Sequence, residues 1–331
     1  MWQNTCVGCI ANPMAGKDIR RLVTYSSRID NQEKVNIVRR ILLGLESAGV
    51  SMVLLMPDTF QIAQKALDGI HHTLRLRTRI LEIEVSGTAR DSSLAAQRMC
   101  ELGAQCLLVL GGDGTHRAVA KTSGPVPLVP ISTGTNNVFP RMIEGTVAGL
   151  AAGLYAQHRD HLPGVVLPTK CLEVWRDGAL QEIALVDVAV SQQQFVGSRA
   201  LWEVSDIQEL FFTQGAPSNI GLSSIAGWSH PLTVQDPQGL HVVLGGDGTQ
   251  VHAPIAPGLI VPVGIRHQRL IQPGERVAIH RAPAMLALDG ERELFIRQGE
   301  RCEIALSWNG PKVLDVDRTL RMVQRQGWHR P

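Results

Sequence analysis

The sequence has few aromatic residues, little net charge and no long apolar run. Aromatic residues make up 4% of the 331 residues, and the formal net charge is +2. A site that stacks nucleic-acid bases needs aromatic side chains, and binding to nucleic acid or to an anionic membrane needs a basic surface. No segment approaches the roughly 18 apolar residues of a membrane span. We therefore expect neither a nucleic-acid partner nor a membrane partner.

A secretion signal and a metal-ligand pattern are also missing. The start of the chain lacks a basic segment followed by a long apolar one. The six cysteines lie mostly within apolar runs, which is typical of reduced, buried cysteine in a cytoplasmic protein. Cys6 and Cys9 match a CxxC spacing, but neither a second pair nor suitably spaced histidines accompany them. We expect a cytoplasmic protein and assign no metal-ligating residues.

The two halves of the chain have different patterns. In residues 1–160, short apolar runs such as Cys106–Leu110 alternate with amphipathic stretches such as Asn31–Ala48. This alternation predicts a doubly wound α/β domain. In residues 161–331, β-branched alternation and Asp-Gly pairs between strand-like runs predict an all-β sandwich. The fold class is therefore α/β, with an N-terminal doubly wound α/β domain and a C-terminal all-β sandwich domain.

Three segments are less regular than the rest. Ile80–Val85 is predicted to be the third strand, and Ala200–Phe212 is predicted to be a helical insertion. The segment Pro311–Pro331 has no single pattern of apolar residues, and one arrangement open to it is packing against the first domain.

A glycine-rich turn follows the most apolar predicted strand. Leu107–Leu110 runs into Gly111-Gly112-Asp113-Gly114-Thr115, and a helical pattern follows. Glycines take positive φ and let the main chain approach phosphate oxygens, while a helix N-terminus favours an anion. Thr115 occupies the place of a helix N-cap or of a phosphate-binding hydroxyl. Asp113 is the carboxylate that would accept a proton, orient a hydroxyl or hold Mg²⁺, unless it merely caps a structural turn.

The same five letters recur at Gly245–Thr249 and serve as an internal control. The flanks there resemble strands, and prolines follow closely, so no helix can begin. We interpret Asp247-Gly248 as a hairpin turn between strands. The strand before and the helix after the turn are therefore what indicate a phosphate site at Gly111–Thr115.

Further polar loops follow predicted strands. Asn12-Pro13-Met14-Ala15-Gly16-Lys17 follows the first strand and either contributes Gly16 and Lys17 to a phosphate or is an ordinary Asn-Pro turn. Ser132–Asn137 follows the strand Val126–Ile131 and offers hydroxyls and amides. Because open α/β sheets bind ligands at the carboxyl ends of their strands, both loops are predicted to converge on one site. Asp289-Gly290-Glu291 is simply a hairpin by itself.

Four of these segments resemble, in their order along the chain, the motifs of the NAD kinase and diacylglycerol kinase superfamily. They are Asn12–Gly16, Gly111–Thr115, Gly134–Asn137 and Asp289–Glu291. The chain is similar in particular to the ATP-NAD kinase-like acetoin catabolism protein X group over much of its first domain. The resemblance implies a nucleotide-binding α/β domain, a β-sandwich domain, and a cleft between them for ATP, Mg²⁺ and an acceptor. It implies Asp113 as the catalytic residue that activates or orients the acceptor hydroxyl. The other residues implied to bind phosphates, nucleotide or acceptor are Asn12, Pro13, Gly16, Gly111, Gly112, Gly114, Thr115, Thr133, Gly134, Thr135, Asn136, Asn137, Asp289 and Glu291.

The resemblance leaves the phosphoryl acceptor open. Typical NAD kinases have an Asn-Glu pair and a glycine-rich segment where this chain has Thr135–Phe139, and lipid kinases have an acidic residue where this chain has Val138. The leading hypothesis is an ATP- and Mg²⁺-dependent phosphotransferase that acts on an alcohol group of NAD, giving NADP, or of a related small molecule. A lipid or polyol kinase is the first alternative. A catalytically silent, nucleotide-binding regulatory protein linked to acetoin or carbon catabolism is the second. NAD kinases as a group are homo-oligomers, so the resemblance allows a homo-oligomer for this chain as well.

Overall fold

The structure is a computed structural model of the chain. It describes residues 5–15, 29–70, 72, 74–192, 204–279 and 281–327. Gly16 and Lys17, which the sequence placed near a phosphate, lie outside the described residues. Within these residues, two short 3₁₀ turns are present besides the elements given below, at Arg159–His161 and Val204–Asp206.

Helices and strands alternate in the first half, and strands dominate the second. The helices are α1 (Asn31–Ser47), α2 (Ile62–Asp68), α3 (Ala89–Glu101), α4 (Asp113–Ala120), α5 (Gly145–His158), α6 (Ser223–Ser229) and α7 (Val316–Gln326). The strands of the first half are β1 (Cys6–Ala11), β2 (Met52–Leu55), β3 (Arg77–Ile80), β4 (Cys106–Gly111) and β5 (Leu128–Ser132). Those of the second half are β6 (Val166–Leu167), β7 (Cys171–Arg176), β8 (Ala179–Ala184), β9 (Asp187–Ser191), β10 (Ile207–Phe212), β11 (Gly239–Ala256), β12 (Leu259–Ile271), β13 (Arg276–Ala278), β14 (Ala284–Leu288), β15 (Glu291–Ile296), β16 (Cys302–Ser307) and β17 (Val313–Leu314). None of the helices in these described ranges combines the length and the apolar character needed to cross a membrane.

The first half forms a parallel sheet covered by helices on both faces. Strands β1 to β5 pair in the order β3-β2-β1-β4-β5, and all four pairings are parallel. Helices α1, α2 and α5 pack on one face around Val38, Ile41 and Ala152, whereas α3 and α4 cover the other face around Met99 and Val119. The central strand β4 is buried along its whole length because helices cover it on both sides.

Small residues let two helices of this domain approach closely. A Cβ added to Gly145 would lie 2.8 Å from the main-chain oxygen of Ile37, and one added to Gly149 would collide with the main chain at Ile41. Because glycine has no side chain beyond its α-hydrogens, α5 packs directly against the backbone of α1. This contact explains why the sequence of α5 is rich in small residues.

The second half forms two antiparallel sheets that pack face to face. One has the order β12-β11-β10-β9-β14-β15 and the other has the order β13-β16-β7-β8. Val174 and Ile304 from the smaller sheet meet Val190 and Leu286 from the larger one in a shared buried core. The arrangement is a β-sandwich, so the predicted fold class, a doubly wound α/β domain plus an all-β sandwich, is confirmed.

Elements of the second half also extend the first sheet. Strand β17 pairs in parallel with β5 through Val313 and Leu128, and β6 adds an antiparallel edge beside β17. Helix α7 follows β17, and its residues Val316 and Val323 belong to the same core as α1 and α5. The division of the chain at residue 160 stays a prediction.

Two sequence-based element predictions are wrong. The third strand ends at Ile80 instead of beginning there, because its edge position beside β2 tolerates the polar residues Arg77–Arg79. The expected helical insertion Ala200–Phe212 is a short 3₁₀ turn followed by β10, as far as the described residues 204–212 extend. In β10, pairing on both sides with β9 and β11 overrides the helical pattern that suggested the insertion.

The three Asp-Gly pairs form two hairpin turns and one bulge. At Asp177-Gly178 the two φ angles are 50° and 81°, and at Asp289-Gly290 they are 51° and 81°, as a type I′ turn requires. The hairpin expected at Asp247-Gly248 is wrong: β11 continues through it, and Leu244 and Thr249 both lie opposite Ile265. Neither Asp247 nor Gly248 has a positive φ, so the four intervening residues form a bulge instead of reversing the chain. Strands flank this second Gly-Gly-Asp-Gly-Thr copy on both sides, as predicted.

Candidate active site

Three loops meet at one edge of the parallel sheet. Strands β1, β4 and β5 are neighbours and run in the same direction, so their carboxyl ends lie side by side. The loops that leave these ends contain Asn12 and Pro13, the Gly112–Thr115 turn, and Thr133–Asn137. This is the edge at which open α/β sheets bind ligands.

The glycine-rich turn leads directly from β4 into α4. Gly112 is the N-cap residue, with φ −96° and ψ −174°, and the helix begins at Asp113. Thr115 therefore lies inside the first turn and is not the N-cap, which corrects the expectation from sequence. The first N–H groups of a helix lack partners within the helix, so the start of α4 offers main-chain donors and a positive dipole end to an anion.

The glycines of the turn are needed for space and not for positive φ. None of Gly111, Gly112 and Gly114 is among the positive-φ residues, which corrects that part of the expectation. A Cβ on Gly112 would lie 2.9 Å from Oδ1 of Asn137, and one on Gly114 would lie 3.3 Å from Oε1 of Glu291. Side chains from two other loops thus sit directly over the turn, and any larger residue there would displace them.

Asn12 joins the first loop to the glycine-rich turn. Its amide Nδ2 donates a hydrogen bond of 2.8 Å to the Thr115 hydroxyl, and its Oδ1 accepts from the N–H of Met14. Beneath it, the ammonium of Lys34 on α1 donates to the main-chain oxygens of Asn12 at 2.9 Å, Pro13 at 3.4 Å and Ala15 at 2.8 Å. Lys34 is almost completely buried, so this lysine shapes the loop from within the protein.

The carboxylate of Asp113 holds the loop that follows β5. Its Oδ1 accepts from the N–H groups of Phe139 at 2.8 Å and Val138 at 3.1 Å, and its Oδ2 lies 3.2 Å from the same Val138 nitrogen. Hydrogen bonds to a charged acceptor are stronger than those between neutral groups. Asp113 therefore fixes the distance between the glycine-rich turn and the neighbouring loop.

Within that neighbouring loop, Asn137 is the side chain that reaches the turn. Its Nδ2 donates to the Ser132 hydroxyl at 2.7 Å and to the Gly134 oxygen at 3.3 Å, which aims Oδ1 at Gly112. Thr133 is buried, and its N–H donates to the Gly111 oxygen. The exposed Thr135 donates its hydroxyl proton to Asn136 Oδ1. Of the residues predicted in this loop, Asn137 therefore contacts the turn, Thr133 packs inside the protein, and Thr135 pairs with Asn136 at the surface.

The hairpin from the second domain delivers Glu291 and buries Asp289. The Asp289 carboxylate accepts main-chain N–H groups from Leu185 and Val186 and lies 3.5 Å from Nε of Arg117 on α4. Burial raises the pKa of the Asp289 carboxyl, although Arg117 and the main-chain donors act to lower it. Glu291 is half exposed, 3.9 Å from Nη2 of Arg117, and close to Gly114. Glu291, not Asp289, therefore faces the turn.

His116 lies directly beneath the turn. Its Nδ1 is 2.8 Å from the Gly112 oxygen and its Nε2 is 3.2 Å from the Val109 oxygen. Complete burial lowers the pKa of His116 to about 4, although both carbonyl oxygens act to raise it. The imidazole is therefore neutral near neutral pH and supports the turn from inside.

Sequence reasoning missed three residues that shape this edge, namely Lys34, Arg117 and His116. For Lys34 a signal was present: it stands four residues before Val38 and seven before Ile41, on the apolar stripe of α1, where an unexplained charge indicates a specific partner. Arg117 and His116 directly follow the glycine-rich turn, but only the folded chain shows that Arg117 meets the Asp289–Glu291 hairpin and that His116 lies beneath the turn.

With this geometry in place, comparison with known proteins defines the class of the chain. Residues 7–159 match the family described as the ATP-NAD kinase N-terminal domain, and residues 170–309 match the family described as the acetoin catabolism protein X C-terminal domain. The chain is thus an NAD kinase-like protein in the sense of its fold and motifs.

A curated relative covers almost the whole chain. The acetoin catabolism protein X of Cupriavidus necator is 36% identical over 334 residues, which span 96% of this chain and 92% of that protein. The chain belongs to the acetoin catabolism protein X family.

One solved structure shares this fold at low sequence identity. The yeast NADH kinase complexed with NADH superposes with a TM-score of 0.50 and 13% identity, covering 100% of this chain and 90% of that one. The structure named as a putative diacylglycerol kinase from Bacillus anthracis str. Sterne gives a TM-score of 0.46 and 14% identity. The match covers 95% of this chain and 98% of that one. At this identity the yeast structure supports the shared fold alone.

Proposed function

We propose that this protein is a kinase that transfers the terminal phosphate of ATP to a hydroxyl group of NAD or of a related small molecule. The single observation that carries the proposal is that polar side chains from two separate parts of the chain lie over the glycine-rich turn. Asn137 from one loop and Glu291 from the second domain lie over Gly112 and Gly114, where a Cβ would strike them. A bare helix N-terminus surrounded by polar side chains from both domains suits phosphate binding and transfer.

The residues at the turn fit the phosphates of ATP and a magnesium ion. Gly112 and Gly114 leave the main chain of the turn without side chains of its own, and the polar ends of Asn137 and Glu291 lie over it. Mg²⁺ usually takes one or two protein carboxylates and completes its shell with phosphate oxygens and water. Glu291, which is half exposed, and Asp113 at the start of α4 are the carboxylates in place to hold such an ion. When bound, the ion would neutralise charge on the transferring phosphoryl group.

In this proposal the chain's own residues mainly position the reactants. The first N–H groups of α4 bind phosphate oxygens, and Thr115, fixed by Asn12, lines the same turn. Asp113 keeps the Val138 and Phe139 main chain at a set distance, so an acceptor hydroxyl resting on that loop is aligned with the turn. Alignment and preorganised donors are the main sources of rate in phosphoryl transfer.

The duplicated motif provides a matched control for testing this proposal. We expect Asp113→Asn to lose at least about 10²-fold in the rate of ADP release, the usual scale for a positioned acid-base or orienting group. Asp247→Asn changes the same letter in Gly245–Thr249, where Asp247 makes an exposed ion pair with Arg266, and we expect an unchanged rate. The assay follows ADP release with ATP, Mg²⁺ and, in separate reactions, NAD, NADH, diacylglycerol and polyols. Turnover of Asp113→Asn equal to that of wild type would contradict the assignment.

One observation favours a second candidate function, a nucleotide-binding protein without turnover. Both oxygens of Asp113 already receive main-chain N–H groups, an arrangement that suits holding a loop as well as it suits proton transfer. The relative in Cupriavidus necator is named for acetoin catabolism and not for a phosphoryl acceptor. In this candidate, ATP or NAD binding would shift an equilibrium between open and closed arrangements of the cleft. ATP binding by calorimetry, without ADP release for any acceptor, would favour it over the kinase.

A further inference from the structure

A cleft lies beside the glycine-rich turn and is walled by both halves of the chain. Its volume is about 720 Å³, within the range of small-molecule sites. One wall is the loop after β5, including Thr135, Asn137 and Arg141. The opposite wall consists of residues 214–219 and 231–234 of the second half. The cleft therefore has the size and the position of a second substrate's site.

Asn137 separates this cleft from the phosphate turn. The Asn137 side chain lines the cleft, and its Oδ1 also lies 2.9 Å from the position of a Cβ on Gly112. The turn glycines themselves do not line the cleft. A molecule in the cleft would thus approach the turn across Asn137, while nucleotide phosphates would occupy the turn.

The wall formed by residues 231–234 is held in place by buried and surface charges. The ammonium of Lys170 donates to the main-chain oxygens of Thr233 at 3.2 Å and Gln238 at 2.8 Å. Asp236 accepts from both the N–H and the hydroxyl of Thr233. Because the Lys170 ammonium and the Asp236 carboxylate both bind this segment, the wall is formed before a ligand arrives.

Arg141 is the one charged residue among those that line the cleft, and the others are polar without charge or apolar. It is exposed, and its side chain makes no hydrogen bond or ion pair within the described part of the chain. Gln214, Asn219 and Thr233 are among the uncharged polar residues of the lining. A guanidinium without a carboxylate beside it is suited to a planar or tetrahedral anion, which it binds through two parallel N–H groups.

We propose that this cleft binds the phosphoryl acceptor, and that the acceptor is a small hydroxyl compound whose carboxylate or phosphate group pairs with Arg141. The inference rests on the proposed kinase function and names the substrate class of that site. In the transfer, the bond between the terminal phosphorus of ATP and the bridging oxygen of ADP breaks. A bond from the acceptor oxygen to that phosphorus forms, and the hydroxyl proton passes to water. Neutral diacylglycerols and unphosphorylated polyols lack the group that Arg141 recognises.

The test measures binding without turnover, so that it does not depend on the kinase reaction. Calorimetric titrations use glycerol 3-phosphate and D-glycerate as anionic probes and glycerol as their neutral counterpart, on wild type, Arg141→Gln and Arg141→Lys. We expect the anionic probes to bind wild type at least tenfold more tightly than glycerol. Arg141→Gln is expected to lose about tenfold to a hundredfold in affinity for the anionic probes, the range for one charge-assisted pair, and Arg141→Lys is expected to lose less. Arg79→Gln, an exposed arginine on the edge strand β3, serves as the control and should bind as wild type does.

The other outcomes overturn either the anion site or the kinase proposal. Equal affinity for glycerol and the anionic probes, or no binding of either anionic probe at about 10 mM, would show that the cleft does not select an anion. A loss of ATP affinity in Arg141→Gln, with probe binding intact, would assign the arginine to the nucleotide instead. If Arg141-dependent probe binding is found and ADP is never released with any acceptor, the anion site stands and the kinase proposal fails. The two failures are therefore distinguishable.

Discussion

Replacing Arg117 by methionine should cost stability in a way that depends on pH. Arg117 and Asp289 are both buried, with Nε and Oδ2 separated by 3.5 Å. With an effective dielectric constant near 20, their attraction is roughly 5 kcal/mol. Methionine keeps much of the volume but leaves the carboxylate without its cation. Because main-chain N–H groups also stabilise that carboxylate, we expect a loss of about 3 kcal/mol in the free energy of unfolding at neutral pH, the lower end for breaking a buried pair.

The sign of the pH dependence follows from the carboxyl of Asp289. Burial already raises the pKa of this group in the folded protein, and removing Arg117 raises it further. A carboxyl whose folded pKa exceeds its unfolded pKa binds more protons in the folded state, so stability falls as pH rises through that interval. The loss in Arg117→Met should therefore be largest near pH 8 and smaller near pH 5.

Urea denaturation of three variants tests this reasoning. Arg98→Met makes the same substitution in an exposed ion pair with Glu101 and should cost much less, because solvent screens that pair. In an Asp289→Asn background the carboxylate is absent, so adding Arg117→Met should cost about 1 kcal/mol, much less than in wild type. A cost for Arg117→Met no larger than that of Arg98→Met, or one that does not change with pH, would refute the buried ion pair as a source of stability.

Two further predictions concern the residues beneath the turn. Lys34→Met removes the ammonium that gathers the Asn12, Pro13 and Ala15 oxygens, so the ATP dissociation constant should rise about tenfold, about 1.4 kcal/mol. Calorimetric ATP titration checks this, with the exposed Lys65→Met as the control, and unchanged affinity would exclude a role of Lys34 in shaping the site. His116 has its pKa lowered to about 4, so the unfolded chain binds more protons below pH 6.5, and stability should fall as pH drops from 6.5 toward 4 by on the order of 3 kcal/mol. Urea titrations of His116→Asn should show a flatter acid limb than those of the exposed His252→Asn, and identical limbs would contradict the assignment.

The order of elements and the edge of the sheet that carries the site were predictable from sequence. Hydrophobic periodicity identified the strand Cys106–Leu110 and the helix that begins near Asn31, because each buries a pattern of fixed period. The rule that ligands bind at the carboxyl ends of parallel strands then placed the loops after β1, β4 and β5 together. These are local signals combined with one general rule of topology.

Local signals failed where a distant partner decides the conformation. Asp247-Gly248 and Asp289-Gly290 have the same two letters, yet the first lies in a bulge and the second in a turn. The difference is set by β12, whose Ile265 faces both Leu244 and Thr249. Asp289 is buried beside Arg117, whereas Glu291 faces the turn. This difference depends on how the hairpin packs, and the spacing of three consecutive residues does not reveal it.

The placement of cations at this edge suggests how the two substrates would be distinguished. Two cations that contact the loops of this site, Lys34 and Arg117, are buried and engaged with acceptors of the protein itself. Phosphates at the turn would therefore be bound chiefly by main-chain N–H groups and the start of α4, and these two cations would act only by shaping the surrounding loops. Arg141, by contrast, is exposed and makes no ion pair within the described ranges. Substitutions in this family would then alter the acceptor more readily than the nucleotide, since a single exposed side chain carries the charge that selects the acceptor.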